Sequence, residues 1–406
     1  MSNDASRLIR ENDIVTLTQE LVRIPSQYIE EELVEHDECA DFLAKRLTDL
    51  GFDVEVAVGV EGYPVVVAST PEVPGGYTLG VIGHYSTVAI GDRAEWTKDP
   101  LGGELIDGKI YGRGSTDQKG GIAAVIMAAK ALMDLGVPLK GRVRLLLVPG
   151  EGCTELALEP IAKSNPDVLR CDAYLDSDGG PGRISLVHGG WIWIEMLTKG
   201  RGGHSGSLTA EGEVPINPVV KMLGVLSRLA DGSWMSAERH RLFGPEENGR
   251  YNRDPIVDVN VFRAGSKVNM IPNEARAQID VRMLPAQTIP TVMGELDAVL
   301  DELRAADPEL DVSYRILNRS KNPHEVQPDH DVIKAIQATC DVHGQPQPDL
   351  VGSFGGGRAA LADFGPVMHF GAGGGSGAHA PDEYALVDKL VLGAKLHATL
   401  YSKLFT

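Results

Sequence analysis

Apolar residues recur at every third or fourth position over 14–50, and this spacing predicts two helices that end at Gly51. Short apolar runs follow at 64–68, 77–82, 142–148 and 172–175, with a helical pattern at 121–135 between them. Strands that alternate with helices are typical of a largely parallel sheet covered by helices on both faces. The first part of the chain is therefore predicted to be an α/β domain.

The pattern changes after about Arg183. Longer β-like runs at 184–198, 256–261 and 275–283 accompany helical patterns at 218–229 and 291–305, which predicts an antiparallel sheet with two helices on one face. From Asp331 the α/β pattern returns, with a helix to 342, a strand at 367–370 and a closing helix at 387–404. The predicted organisation is thus an α/β domain built from 1–185 and 323–406 and interrupted by an α+β domain at 186–322.

Size and charge restrict the partners. A chain of 406 residues is long enough for two cores, and its net charge of −19, with no run of Lys or Arg, disfavours nucleic acid and anionic membrane surfaces. No apolar stretch approaches a membrane span, and the N-terminus lacks an export signal, so we expect a soluble, cytoplasmic protein. The four cysteines show no paired spacing and are not expected to form disulfides. A small molecule or another copy of the chain is the expected partner.

Five acidic or histidine residues follow predicted strands or lie in glycine-rich turns: His84, Asp117, Glu151, Asp178 and His379. Taken singly, four of them have ordinary interpretations: His84 and His379 as hydrogen-bonded loop residues, Asp117 as a helix cap and Asp178 as a turn residue. The turn at 112–121 lacks the spacing of a phosphate-binding loop. Because the ends of parallel strands meet at one sheet edge, the five together predict a divalent metal site, and oxygen ligands with imidazole suit Zn²⁺, Mn²⁺ or Co²⁺.

The order and spacing of these motifs resemble the metallopeptidase family of clan MH that includes aminoacylase, acetylornithine deacetylase, succinyl-diaminopimelate desuccinylase and carboxypeptidase G. The likeness runs nearly end to end, through segments at 22–26, 83–86, 96–100, 111–121, 203–206, 269–273, 280–282 and 378–384. It implies a zinc-peptidase-like catalytic domain, a mostly parallel sheet flanked by helices, interrupted by a lid or dimerisation domain. It also implies a homodimer or higher homo-oligomer.

The resemblance also implies roles by position. His84, Asp117 and Asp178 match the ligands of one metal, and Asp117 with His379 matches ligands of a second. Glu151 matches the general base, and His204 matches the histidine that stabilises the oxyanion. Arg358, Asn269 and Arg282 match substrate-binding positions, and the Asp117–Gln118 bond corresponds to a cis peptide.

Three positions depart from the family pattern. The paired glutamates are replaced by Gly150-Glu151-Gly152, which removes a carboxylate ligand of the second metal, so one ion per chain is predicted, Mn²⁺ or Zn²⁺; Glu155 is an alternative ligand. Ser86 replaces an aspartate that orients the metal-binding region, and its hydroxyl would be a weaker partner. The segment before Arg358 lacks the family's polar groups.

These features predict a metal-dependent hydrolase of a C–N bond in a small carboxylate-bearing substrate, like an amidohydrolase, deacylase or dipeptidase. Metal-activated water would attack, with Glu151 as general base. Two alternatives stay open: an aminohydrolase that releases ammonia from an activated aromatic amine such as 5-nitroanthranilate, and a non-catalytic homologue that binds a ligand.

Overall fold

The computed structural model describes residues 3–29, 36–150, 154–236, 240, 242, 255–317, 320–354 and 358–406. The chain divides into two compact units. The first unit contains Met1–Leu186, Val326–Val351 and Arg358–Thr406, and the second contains Val187–Glu325 and Gly352–Gly357. That the second unit acts as a lid stays a prediction.

Helices and strands alternate through much of the chain. The described helices are α1 Glu11–Arg23, α2 Asp37–Asp49, α3 Gly120–Asp134, α4 Thr154–Ser164, α5 Pro166–Leu169, α6 Pro218–Leu229, α7 Ile289–Ala306, α8 Asp331–Val342, α9 Ala359–Ala362 and α10 Val387–Phe405. The described strands are β1 Asp53–Val58, β2 Pro64–Ser69, β3 Tyr77–His84, β4 Glu104–Ile106, β5 Lys109–Tyr111, β6 Gly141–Val148, β7 Ala173–Asp176, β8 Arg183–His188, β9 Gly190–Lys199, β10 Gly203–His204, β11 Ile256–Ala264, β12 Met270–Ile271, β13 Glu274–Met283, β14 Asp311–Ile316, β15 His324–Glu325, β16 Asp349–Ser353, β17 Val367–His369, β18 Gly375–Ser376 and β19 Tyr384–Leu386.

The large sheet contains the strands of the first unit in the order β1-β2-β6-β3-β7-β17-β8, and β16 also pairs with β8. Its central strands β6, β3, β7 and β17 are parallel, whereas β1, β2 and β8 pair antiparallel with their neighbours. The connection from β1 to β2 is too short for a crossover helix, so these two strands form a hairpin. The α/β class is confirmed, and the sheet is mixed, with its parallel strands at the centre.

Strand β3 and helix α3 form the centre of this unit. Strand β3 is buried from Thr78 to His84, and nearly every residue of α3 is buried, as an apolar pattern on all sides predicts. Gly83 permits this close packing, because a Cβ atom there would lie 2.7 Å from the Ile122 side chain. The end of β3 and the start of α3 are therefore held against each other.

A smaller sheet of the first unit, in the order β18-β19-β5-β4, joins two distant parts of the chain. Tyr384 in β19 lies opposite Tyr111 in β5, so the segment around 377–383 lies beside the turn that follows β5.

The second unit contains an antiparallel sheet in the order β11-β13-β9-β14. Alternate residues of β9 point into a core that α6 and α7 complete, with Ile192, Ile194 and Met196 buried. In the part of the chain that the structure describes, no helix is both long and apolar enough to cross a bilayer.

Candidate metal centre

Three side chains meet at the carboxyl ends of the central parallel strands. His84 is the last residue of β3, Asp178 follows the neighbouring β7 by two residues, and Asp117 lies in the turn between β5 and α3. His84 Nε2 is 3.0 Å from Asp117 Oδ1 and 3.9 Å from Asp178 Oδ2. One ligand atom from each residue lies within 4.8 Å of the others. An imidazole and two carboxylates at this spacing fit one divalent ion.

The hydrogen bonds of His84 aim its ring at the two carboxylates. Nδ1 lies 2.9 Å from the Ser86 main-chain carbonyl. A carbonyl only accepts, so Nδ1 carries the proton, and the neutral ring presents the Nε2 lone pair to a metal. The Ser86 group in this contact is its main-chain carbonyl, and the role expected of its hydroxyl stays a prediction.

The acidic neighbours of His84 determine its charge. Burial acts to lower the pKa of His84, but the hydrogen bond with Asp117 and the charge of Asp178 raise it to about 9. Burial acts to raise the pKa of Asp117, yet its contacts with His84 and His379 hold that pKa below its usual value. The cluster therefore stabilises positive charge at the position where the three ligand atoms converge.

Buried polar groups hold the turn that carries Asp117. Glu383 Oε1 accepts the N–H groups of Thr116 and Asp117, each at 3.1 Å, and Glu383 Oε2 accepts from Arg113 at 2.5 Å. Arg113 also donates to the Ala380 carbonyl. Glu383 lies in the segment 378–384 that resembles the family, but the sequence did not predict its role in holding this turn.

Two further residues, Lys119 and Gln118, fix this turn to its surroundings. Lys119, buried at the start of α3, donates to the carbonyls of Leu21 and Ile24 at the end of α1. Gln118 Oε1 accepts the N–H of His84 at 2.8 Å, and the Asp117–Gln118 peptide bond is cis, as the resemblance implied.

His379 lies on the other side of Asp117. Its Nε2 is 2.9 Å from Asp117 Oδ2, so the Asp117 carboxylate lies between two imidazoles. His379 has a left-handed backbone, with φ of 64°, an uncommon conformation for a residue other than glycine. Glu155, the alternative ligand for a second metal, accepts the N–H of Ala360 at the start of α9 through Oε2.

Glu151 lies outside the described residues, as does Cys153. Arg358 is described, and its side chain is 8% exposed. Its Nε lies 2.8 Å from Asp176 Oδ2, and the Asp176 side chain is fully buried. His369 Nε2 lies 3.5 Å from the same oxygen. Sequence reasoning missed Asp176 and His369, although both stand at strand ends beside predicted ligands.

Two predicted residues of the second unit lie together. Strands β10 and β12 pair His204 with Met270, and this places His204 Nε2 3.2 Å from the Asn269 side-chain nitrogen. The Gly206 N–H donates to His204 Nδ1, so a neutral His204 ring carries its proton on Nε2. Asn269 Oδ1 is buried without a hydrogen-bond donor. With the amide turned so that this oxygen faces the ring, Oδ1 accepts the Nε2 proton of His204.

Arg282, the third predicted residue of this unit, contacts its own strand. Its Nε and one terminal nitrogen donate to Asp280 Oδ2 at 3.0 and 2.8 Å, and the other terminal nitrogen donates to the Phe354 carbonyl.

A family model described as peptidase family M20/M25/M40 matches residues 80–403. A succinyl-diaminopimelate desuccinylase from Cereibacter sphaeroides is 28% identical over 372 residues, which cover 88% of this chain and 90% of that relative. An M20 family metallo-carboxypeptidase from Sulfolobus solfataricus superposes with a TM-score of 0.74 at 23% identity and covers 97% of this chain and 99% of its own. Aminopeptidase PepT from Bacillus cereus superposes with a TM-score of 0.75 at 18% identity, and the match covers 98% of this chain and 99% of that one.

Proposed function

Because the chain belongs to peptidase family M20/M25/M40 and is a metal-dependent hydrolase, we propose that it cleaves the amide C–N bond of a small N-acyl amino acid that carries a carboxylate. The observation that carries this proposal is the convergence of His84, Asp117 and Asp178 at one sheet edge. The alternatives of an aromatic aminohydrolase and a non-catalytic homologue have no support from the relatives.

The metal ligands in this proposal are His84, Asp117 and Asp178. When bound, the ion supplies Lewis acidity and a water of lowered pKa. Glu151, which matches the family's base in sequence, takes the proton from the attacking water and passes it to the leaving nitrogen. His204 matches the family's oxyanion-stabilising histidine in sequence, and the proposal gives it that role. The two carboxylates hold the His84 ring, whose Nε2 faces them.

One ion per chain is proposed, Mn²⁺ or Zn²⁺. Asp117 Oδ2 and His379 Nε2 are two donors for a second ion, and the third is missing where glycine replaces the family's glutamate. In this proposal Glu155 does not supply the missing third donor, since its Oε2 already accepts the N–H of Ala360 in α9.

The first substrates to test follow from the relatives. The desuccinylase at 28% identity acts, by its name, on a succinylated diamino acid. N-succinyl-diaminopimelate and N-acetyl amino acids therefore represent the proposed class, and N-acetyl amino acid amides test whether the free carboxylate matters.

A homodimer through the second unit is also proposed. Strand β11 is at the edge of its described sheet and exposes Val259 and Phe262, while helix α6 exposes Val220 and Leu223. An edge strand and neighbouring apolar side chains are a surface that a second copy can cover about a two-fold axis.

The test is a metal titration of the stripped protein. Hydrolysis of one of these substrates should appear with Mn²⁺ or Zn²⁺ and saturate near one ion per chain. Asp178→Asn should lose metal and activity together, Glu151→Gln should lose turnover while keeping the metal, and the exposed Asp329→Asn serves as the matched control. If no N-acyl substrate is cleaved at any metal loading, the proposed reaction is wrong; two tightly bound ions would refute the single site.

A further inference from the structure

We propose that Asp176 and Arg358 form a buried ion pair that positions the metal ligand Asp178, and that Arg358 is a positioning residue, not the anchor of a substrate carboxylate. This inference rests on the proposed function only in taking Asp178 as a metal ligand. It changes the role that the family resemblance implies for Arg358.

Asp176 is fixed at the centre of the large sheet. It ends β7, where it is the register partner of Ile82 in β3 and of His369 in β17. Its carbonyl accepts the N–H of Phe370 at 2.9 Å, and its side chain is fully buried. Main chain and side chain are both held, so the carboxylate has little freedom to turn.

The Asp176 carboxylate joins the ligand to the ion pair. Oδ1 accepts the N–H of Asp178 at 3.1 Å, which fixes the turn two residues beyond the strand. Oδ2 lies 2.8 Å from Arg358 Nε. A shift of Arg358 would therefore be transmitted through one rigid carboxylate to the backbone of a metal ligand. The contact with Arg358 is an ion pair, and the contact with Asp178 is a hydrogen bond. Groups that contact a metal ligand in this way orient it and tune metal affinity.

The buried negative charge of Asp176 keeps the Arg358 guanidinium beside it. A carboxylate with no exposed surface requires a compensating positive charge. The Arg358 side chain, 8% exposed, supplies that charge at the shorter distance, and His369 approaches the same oxygen at 3.5 Å. If Arg358 turned to bind a substrate carboxylate, it would withdraw its charge from Asp176 inside the protein. Substrate recognition through Arg358 would thus disturb the ligand turn.

The test compares metal affinity with substrate affinity in four variants: Arg358→Met, Arg358→Lys, Asp176→Asn and the double variant Asp176→Asn/Arg358→Met. Asp176→Asn keeps the Oδ1 acceptor for Asp178 and removes the charge. Arg358→Lys keeps the charge and loses the Nε geometry. Arg183→Met, at an exposed arginine of the same unit, is the matched control. Thermal unfolding and circular dichroism select the variants that fold, and Arg358→Lys decides the question if Arg358→Met does not fold.

Metal affinity is measured on the stripped protein by competition of Zn²⁺ with a chromogenic chelator, without any substrate. We expect each single variant to weaken binding by about 10- to 100-fold. The double variant should be no worse than the more affected single one, because both changes remove the same ion pair. Turnover of an N-acetyl amino acid and of its amide should fall by the same factor, with KM little changed.

Unchanged metal affinity in Arg358→Met or Arg358→Lys, together with a KM raised at least tenfold only for the substrate with a free carboxylate, would overturn the inference. Losses that simply add in the double variant would also overturn it. The chelator experiment does not depend on the substrate, so failure of the proposed amide hydrolysis would be seen separately, as absent turnover in a protein that still binds metal.

Discussion

Replacing Glu383 by Gln should destabilise the fold, because it leaves the buried Arg113 without its charged partner. The glutamate accepts from the N–H groups of Thr116 and Asp117 and from Arg113. Glutamine keeps a carbonyl for the two N–H groups but loses the charge that faces Arg113. The change therefore measures the contribution of the buried ion pair, because the hydrogen bonds to the turn keep their acceptor.

The size of the effect follows from burial. The side chains of Arg113 and Glu383 are 3% and 1% exposed, so water does not screen the pair. Removing one partner of a buried ion pair costs about 3–5 kcal/mol, because the other charge stays buried without compensation. Replacing both partners by uncharged groups costs much less. The double variant Arg113→Met/Glu383→Gln should therefore be more stable than Glu383→Gln.

The assay is urea unfolding of the metal-free protein, followed by circular dichroism in the presence of a chelator so that bound metal does not contribute. Glu104→Gln, at an exposed glutamate in β4, is the matched control and should change the free energy of unfolding by less than about 0.5 kcal/mol. A loss below about 1 kcal/mol in Glu383→Gln, or a double variant less stable than the single one, would refute the reasoning.

Three further predictions follow from the described contacts. In the metal-free protein, hydrogen bonding to Asp117 and nearby acidic charge raise the pKa of His84 to about 9. Protonated His84 therefore stabilises the fold fully below about pH 6.5, its ordinary pKa, and this stabilisation is lost as the pH rises through about 9. Because metal must displace this proton, Zn²⁺ affinity in chelator competition should rise about tenfold per pH unit up to about pH 9; a flat profile would contradict this. Lys119→Met removes the donor to the carbonyls of Leu21 and Ile24 and should lower the free energy of unfolding in urea by about 1–3 kcal/mol; no loss would show that these carbonyls have other donors. Phe262→Asp in β11 should convert the proposed dimer to monomer in sedimentation velocity, whereas exposed Glu274→Gln should not.

Sequence patterns predicted those parts of the fold that depend on local periodicity. The apolar pattern of α3 and the buried strands β3 and β6 could be read directly, and so could α6, whose predicted and observed limits agree. The three side chains of the candidate metal centre could be grouped because the ends of parallel strands meet at one edge. The run at 184–198 was predicted as one strand, but β8 and β9 separate at Gly189, where a Cβ atom would lie 2.3 Å from the Phe354 ring.

Contacts between residues far apart in the chain could not be predicted. No periodicity relates Asp176 to Arg358, so the arginine was assigned to substrate from the resemblance alone. Glu155 could be named as a spare carboxylate, but its contact with Ala360 depends on where α4 and α9 pack. The orientation of His84 depends on a main-chain carbonyl at Ser86, which side-chain identity does not reveal.

The contact between Asp117 and His379 spans 262 residues of chain, and the brace from Glu383 comes from the same late segment. At a ribosomal rate of about 5–20 residues per second, Asp117 is made roughly 10 to 50 s before these partners. During that interval the nascent chain already contains His84, Asp117 and Asp178, while Arg113 has no Glu383 to neutralise it. A messenger truncated before codon 379 would yield a polypeptide with His84, Asp117 and Asp178 but without the two late partners of the Asp117 turn.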